Sequence, residues 1–403
     1  MCTDHASISR RDMLRASAAA LAGSALLPQS LRALIGSSPR ADLEVALRAE
    51  RWIRASRIQT PNGAVWPADP LKPASVAYDL HNGMPGVVLF YLELCAATDN
   101  RGWLEEARAG ANEIVARVPE MAATNNCGLY TGVAGCAFVL EEAHRATGEG
   151  QYRAAAKRAL DAIHAQARSV GAGAAWSGES ATNDIISGSA GIGLFLLWAD
   201  ERLRDPRNRA AAIAAGRRLI EVAQLEHGGL KWAVAPNVQN QYPNFSHGTA
   251  GVSYFLATLY KATGDKSFLD AALAGATYLR AVADTEGNTF KVFHHEPGGE
   301  QLFYLSWCHG PAGLSRLFYR LGEVTGGQEW EALVTRAAAA IEASGVPEQR
   351  TPGFWNNISQ CCGNCGVGEH FLTLDRLMPS DAYGRMARRV GGYARARRPT
   401  ATG

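Results

Sequence analysis

The sequence lacks most of the features that assign a protein to a class at once. It has no surplus of either charge, since 40 Lys and Arg stand against 38 Asp and Glu, a formal net charge of +2. A chain so nearly balanced has no electrostatic reason to take nucleic acid or an anionic membrane as its main partner. Eight cysteines in 403 residues are too few for a disulfide scaffold. Outside the N-terminal segment no apolar run approaches the ~20 residues that a membrane-spanning helix needs. There is no strand-rich block and no internal linker. What is present is a chain 47% hydrophobic and only 19% charged. At this length that supports a sizeable core in one large domain or two ordinary ones.

The first forty residues differ in kind. "SISRRDMLRASAAALAGSALL" sets Arg10-Arg11 before a small apolar run, and Arg15 is the one charge between Met13 and Gln29. The run suits the apolar region of an export signal and is too short to span a bilayer. The pattern resembles a twin-arginine signal, which serves proteins exported already folded; a basic amphipathic helix is the rival reading. The expected organisation is a signal and linker over 1–40, one domain over 41–396 and a tail over 397–403. The expected location is periplasmic or otherwise extracytoplasmic.

Within the domain the tetrad G-x-x-G recurs at Gly83, Gly132, Gly188, Gly248, Gly310 and Gly363, at intervals of 49, 56, 60, 62 and 53 residues. Each tetrad leads into an apolar segment such as "VVLFYLEL" or "IGLFLLWA", and most of these stop at a turn such as "ATGEG" or "ATGD". Such stops read as helix C-termini. Between them lie alanine-rich stretches with apolar residues at helical spacing and charge on the other face. Buried helices alternating with amphipathic ones at a near-constant period predict an all-α protein, an α/α toroid of inner and outer rings. The first glycine of each tetrad is expected to permit a positive φ, and the second a close backbone approach.

Aligned on the tetrads, the repeats become columns. The residue before the first glycine is Asn82, Thr131, Ser187, His247, His309 and Cys362; the one before that is His81, Tyr130, Ile186, Ser246, Cys308 and Cys361. Cys308 and Cys361 therefore occupy matching places in adjacent repeats, with Cys362 beside them. Three thiolates on converging helix starts suit Zn²⁺, which takes sulfur tetrahedrally and leaves a fourth position open when the protein supplies three ligands. Sulfur argues against magnesium, calcium or manganese. A Cys361–Cys362 or Cys362–Cys365 disulfide and plain reduced cysteines are the alternatives, and His309 can replace one thiolate. Cys365 follows Pro85, Ala134, Ala190, Ala250 and Ala312 in its column and reads as a small buried filler.

"NDIISGSAG", "FSHGTAG", "SWCHGPAG" and "QCCGNCG" together resemble, in this order, motifs of the lanthionine synthetase C-like cyclases. The resemblance covers roughly residues 41–378. It implies a double α-toroid with zinc at its mouth and addition of a cysteine thiol to dehydroalanine or dehydrobutyrine, forming a thioether. Cys308 and Cys361 match metal ligands; Cys362 stands where most members carry histidine. His247 and Asp184 match the histidine and aspartate beside the zinc. The expected catalytic pair is His247 as general acid toward an enolate, with Asp184 orienting it. An N-cap role is the competing reading of Asp184. His81 and the His294-His295 pair, taken as exposed, receive no role.

Two departures accompany the resemblance. The family's seventh tetrad-headed helix has no counterpart here, because the C-terminal "RMARRVGGYARARRPTATG" is basic and lacks the tetrad. The ring is then left open, closed by the N-terminal helix around 42–57, or completed by another chain. There is also no dehydratase segment, so the substrate is a peptide or protein already dehydrated, or a small thiol with a dehydroamino acid. The alternatives are a non-catalytic, zinc-stabilised peptide-binding toroid and an α/α-toroid carbohydrate-active enzyme. The latter needs two facing carboxylates, and only Asp184 and Asp79 lie near tetrads.

Overall fold

The computed structural model describes residues 39–176, 181–353 and 357–396. Helix α1, Pro39–Ala55, is followed by six helix pairs. The first helix of each pair starts within a tetrad: α2 (Met84–Thr98), α4 (Val133–Thr147), α6 (Ser189–Leu203), α8 (Thr249–Thr263), α10 (Pro311–Thr325) and α12 (Asn364–Leu377). The second is α3 (Trp103–Ala123), α5 (Gly150–Gln166), α7 (Arg207–Glu221), α9 (Lys266–Ala281), α11 (Gln328–Ala343) or α13 (Asp381–Ala396). Each even-numbered helix packs on its odd-numbered partner and on the next even-numbered helix, so the pairs make an inner and an outer ring. The all-α toroid expected from the repeat is the fold the chain adopts.

Composition explains which helix goes where. Helix α6 buries every residue from Ser189 to Ala199, as a segment apolar on all sides must. Helix α9 buries Phe268, Ala271, Ala272, Gly275, Ala276 and Leu279 along one stripe and leaves its charges outside. Helices α4 and α8 end at Gly148 and Gly264, at φ 78° and 73°, whose N–H groups each cap a carbonyl at 2.7 Å. Asp265 then starts α9 by accepting from Ser267 N at 3.0 Å. Three short antiparallel hairpins decorate the loops between pairs: β1 (Ile58–Gln59) with β2 (Ala64–Val65), β3 (Ala167–Val170) with β4 (Gly173–Trp176), and β5 (Gln224–Glu226) with β6 (Gly229–Lys231).

The first glycine of each tetrad corrects one expectation. Only Gly310 has a positive φ, 150°; the other five lie between −101° and −154°. Space is the reason for glycine instead. The loop doubles back so that the helix's first N–H reaches the carbonyl seven residues earlier, as in Thr249 N to Tyr242 O at 3.0 Å and Asn364 N to Asn357 O at 2.9 Å. A Cβ on Gly248 would then stand 1.6 Å from Tyr242 O.

The loops also bond to one another around the mouth. His81 N donates to Tyr130 O at 3.0 Å and Tyr130 N to Ile186 O at 2.9 Å. Ile185 N then donates to Ser246 O at 3.1 Å, Ser246 N to Cys308 O at 3.0 Å, and Cys308 N to Cys361 O at 3.3 Å. This circlet runs through the very column that holds the cysteines.

The described part of the basic C-terminal stretch lies in α13, the sixth outer helix, which buries Tyr383, Gly384, Met386, Ala387 and Val390. Among the described residues there is no seventh inner helix. Helix α1 bridges the ends of the ring: Asp42 pairs with Arg395 of α13. Glu50, 2% exposed, accepts from Tyr91 Oη of α2 at 3.3 Å, and Arg54 lies 5.4 Å over the Trp103 ring of α3. Closure by the N-terminal helix is thus the arrangement formed at the seam. That helix begins two residues ahead of the expected boundary at 41; the rest of the expected signal, 1–38, and the tail, 397–403, lie outside the described residues. No described helix is long and apolar enough to cross a membrane.

Candidate metal centre

The circlet sets Cys308 against the loop that carries Cys361 and Cys362. Ser246 fixes the Cys308 carbonyl twice, through its N–H and its Oγ, both at 3.0 Å. The Cys308 and Cys362 sulfurs lie 3.1 Å apart, and those of Cys362 and Cys361 3.4 Å. All three fall within 4.8 Å of one another, and none is in a disulfide. Sulfurs at ~2.3 Å from one tetrahedral ion would be about 3.8 Å apart. Small side-chain rotations separate the two arrangements, so the trio fits a thiophilic ion. Among the described residues no other group of His, Cys, Asp and Glu gathers donor atoms so closely.

The three thiols also perturb one another. Hydrogen bonds from Cys361 and then Cys362 hold the Cys308 thiol far below its ordinary range, while those bonds push Cys361 up and the bond to Cys308 does the same to Cys362. Negative charge on one sulfur thus disfavours charge on its neighbours, as like charges in contact do. Cys365 stays apart from the trio, and it is only partly buried where Ala134, Ala190, Ala250 and Ala312 of its column are fully so, which corrects the expectation of a buried filler.

His247 and Asp184 also meet. Asp184 is 2% exposed, and its Oδ2 lies 2.7 Å from His247 Nδ1. Its Oδ1 meanwhile accepts from Ser187 N at 2.8 Å. The N-cap reading of Asp184 is not what forms: α6 has Gly188 at its N-cap and no side-chain cap, and Asp184 instead bonds the loop N–H of Ser187 with one oxygen and the His247 imidazole with the other. Asp79 occupies the equivalent place two ring positions away and accepts from Asn82 N at 2.7 Å. His81 is exposed and enters the circlet only through its backbone.

The His294-His295 pair is not a bare surface feature. Both residues are half-buried, with Nδ1 atoms 2.8 Å apart, and His294 stacks 4.3 Å from the buried His309. His309 in turn lies 5.6 Å from His247, ring to ring, and its Nδ1 has no protein partner. Burial holds His294 down to about 4 and His309 to about 3. His309 does not join the three sulfurs as a ligand in this arrangement.

Two residues of this cluster were absent from the sequence reading. Tyr242 lies 6.1 Å from His247 and 5.3 Å from His309, and Tyr304 lies 4.3 Å from His294. Each stands six places before its tetrad glycine, so columns extended by four more positions would have found them.

Comparison with known proteins gives this geometry its context. Residues 74–393 match the family model described as lanthionine synthetase C-like protein. No curated protein sequence matches. Among solved structures, nisin cyclase is similar at 16% identity and a TM-score of 0.61, over 86% of this chain and 84% of that one. The unsaturated glucuronyl hydrolase of Bacillus sp. GL1 is similar at 14% identity and a TM-score of 0.51, over 74% and 81%. At such identities these are likenesses of fold, and one fold carries unrelated chemistries. The match of a single family model to most of the ring, from the first tetrad to the last outer helix, decides the relationship: the chain belongs to the lanthionine synthetase C-like family.

Proposed function

We propose that the protein is a zinc-dependent enzyme that adds a thiol to dehydroalanine or dehydrobutyrine in a peptide or protein, forming a thioether. The observation that carries this reading is the meeting of Cys308, Cys361 and Cys362 at one mouth with the Asp184–His247 pair. Zinc held by the three sulfurs would draw a substrate thiol from its usual pKa of ~8.5 to the thiolate, the form that attacks.

The remaining work falls to side chains. The C–S bond forms at the β-carbon, and the electron pair of the double bond moves toward the amide carbonyl. The α-carbon then needs the proton that the thiol gave up. His247, 37% exposed at the mouth, is placed to deliver it. Asp184 accepts a hydrogen bond from Nδ1–H of His247, which leaves Nε2 to carry the transferable proton and stabilises the imidazolium. Tyr242 and His309 wall one side of that imidazole and limit its rotation.

A carbohydrate-active reading is disfavoured by the same contacts. Asp184 and Asp79 are the carboxylates in the loops just before tetrads, and each is engaged by a loop N–H, Asp184 by an imidazole as well. Incubation of a dehydroalanine peptide with a thiol tests the proposal. Wild type is expected to give thioether, and His247→Ala to lower the rate about 10²–10⁴-fold while retaining zinc. Rates in both no faster than without protein would leave a zinc-stabilised binding protein.

A further inference from the structure

Two columns beneath the mouth are apolar or aromatic in most repeats. Three places after the second glycine stand Leu89, Phe138, Leu194 and Tyr254, and then Arg316 and Glu369. Three places before the first glycine stand Leu80, Leu129, Ile185, Phe245 and Trp307, and then Gln360. The three exceptions bond to each other. Arg316 Nη2 lies 3.1 Å from Glu369 Oε1, and Gln360 Nε2 donates to the other carboxylate oxygen. The Glu369 side chain is 2% exposed and that of Arg316 15%.

Core filling does not explain such a group. A buried ion pair is often replaced by apolar residues with no loss of stability, or with a gain, and the first four repeats do use apolar or aromatic residues at these places. What sets the fifth and sixth repeats apart is cysteine in the two columns just before the first glycine. Gln360 directly precedes Cys361, whose carbonyl takes the Cys308 N–H at 3.3 Å. Arg316 stands on α10, the helix that follows Cys308, and Glu369 on α12, the helix that follows Cys362.

We propose that Arg316, Glu369 and Gln360 form a positioning brace that ties α10, α12 and the Cys361–Cys362 loop together and so sets the sulfur geometry in advance of the metal. The inference rests on the metal reading above and adds the residues that hold its ligands in place.

Cobalt(II) titration of the purified full chain, with thiolate-to-metal and d–d absorption as readouts, tests it beside a thermal melt. Wild type is expected to show the intense bands of a tetrahedral thiolate site. The triple variant Arg316→Leu, Glu369→Leu, Gln360→Leu is expected to melt at or above the wild-type temperature, yet to bind cobalt about 10–100-fold more weakly with altered d–d bands, the size typical of lost ligand support. Unchanged affinity and spectrum in the folded triple variant would overturn the brace. Should that variant not fold, Gln360→Leu alone, which leaves the Arg316–Glu369 pair intact, is expected to shift the spectrum in the same sense, and an unshifted spectrum counts against the brace. A wild type that takes up no cobalt removes the metal reading and the brace with it; equal binding by wild type and variants removes the brace alone.

Discussion

At the scale of single residues, Asp184 concentrates the chemistry of the mouth. Its two oxygens serve two masters, the Ser187 N–H and the His247 imidazole, so substitutions separate them. Asp184→Asn keeps an oxygen for the Ser187 N–H but removes the charge that supports an imidazolium. Its rate of thioether formation is expected to fall by about tenfold or more, with a melting temperature near that of wild type. Asp184→Ala loses the acceptor of the Ser187 N–H too and is expected to melt lower, by the ~1 kcal/mol typical of a lost hydrogen bond. A parallel fall in rate and stability for both variants would reduce the residue to a loop fastener. The columns made Cys308, Cys361, Cys362 and His247 legible because circular symmetry turns sequence register into spatial register. The His294–His309 stack was not legible, since His294 sits in a long loop whose path follows bridges such as Gln241 to Glu296, and no period announces it.

At the scale of elements, the second tetrad glycine shows how much one position depends on its loop. In α6 a Cβ on Gly191 would meet Ile185 O at 1.9 Å, whereas in α2 a Cβ on Gly86 would find its nearest neighbour, Leu80 O, at 3.6 Å. The same substitution is therefore predicted to act in opposite directions. Gly191→Ala should destabilise by about 1–3 kcal/mol through forced backbone shifts. Gly86→Ala should be neutral or stabilise by up to about 1 kcal/mol, the helix-propensity gain of alanine over glycine. Thermal melts of the two variants check this, and a matching sign would refute the close-approach account. The helices themselves were readable from apolar periodicity and glycine stops. The reason for the first glycine was not, because a carbonyl reached by doubling back over seven residues leaves no mark in the pattern.

At the scale of the whole molecule, the ring depends on its seam. Glu50 is buried where α1 meets α2, with Tyr91 Oη and Arg54 as partners. Glu50→Ala leaves the Tyr91 hydroxyl without its acceptor inside the fold and is expected to cost about 1–3 kcal/mol in a denaturant melt; no loss would mean that α1 is not needed to close the ring. Acid should also loosen the fold. His370 is buried on α12, its Nε2 has no protein partner, and burial, aided by Arg316, holds its pKa down to about 3. Unfolded histidine titrates near ~6.5. Between those values the unfolded chain binds the extra proton, so stability falls as pH is lowered through the window, by up to about 1.4 kcal/mol per pH unit. His370→Leu should flatten that acid limb, and an unchanged slope would assign it to other groups.

The reading of the mouth as a metal centre is tested most directly by elemental analysis of the purified full-length protein and its Cys361→Ala variant. One zinc per chain in the wild type, lost from a variant that still shows the helical spectrum and cooperative melt of the parent, is the predicted result. A wild type without stoichiometric zinc, or a variant that keeps it, would contradict the account.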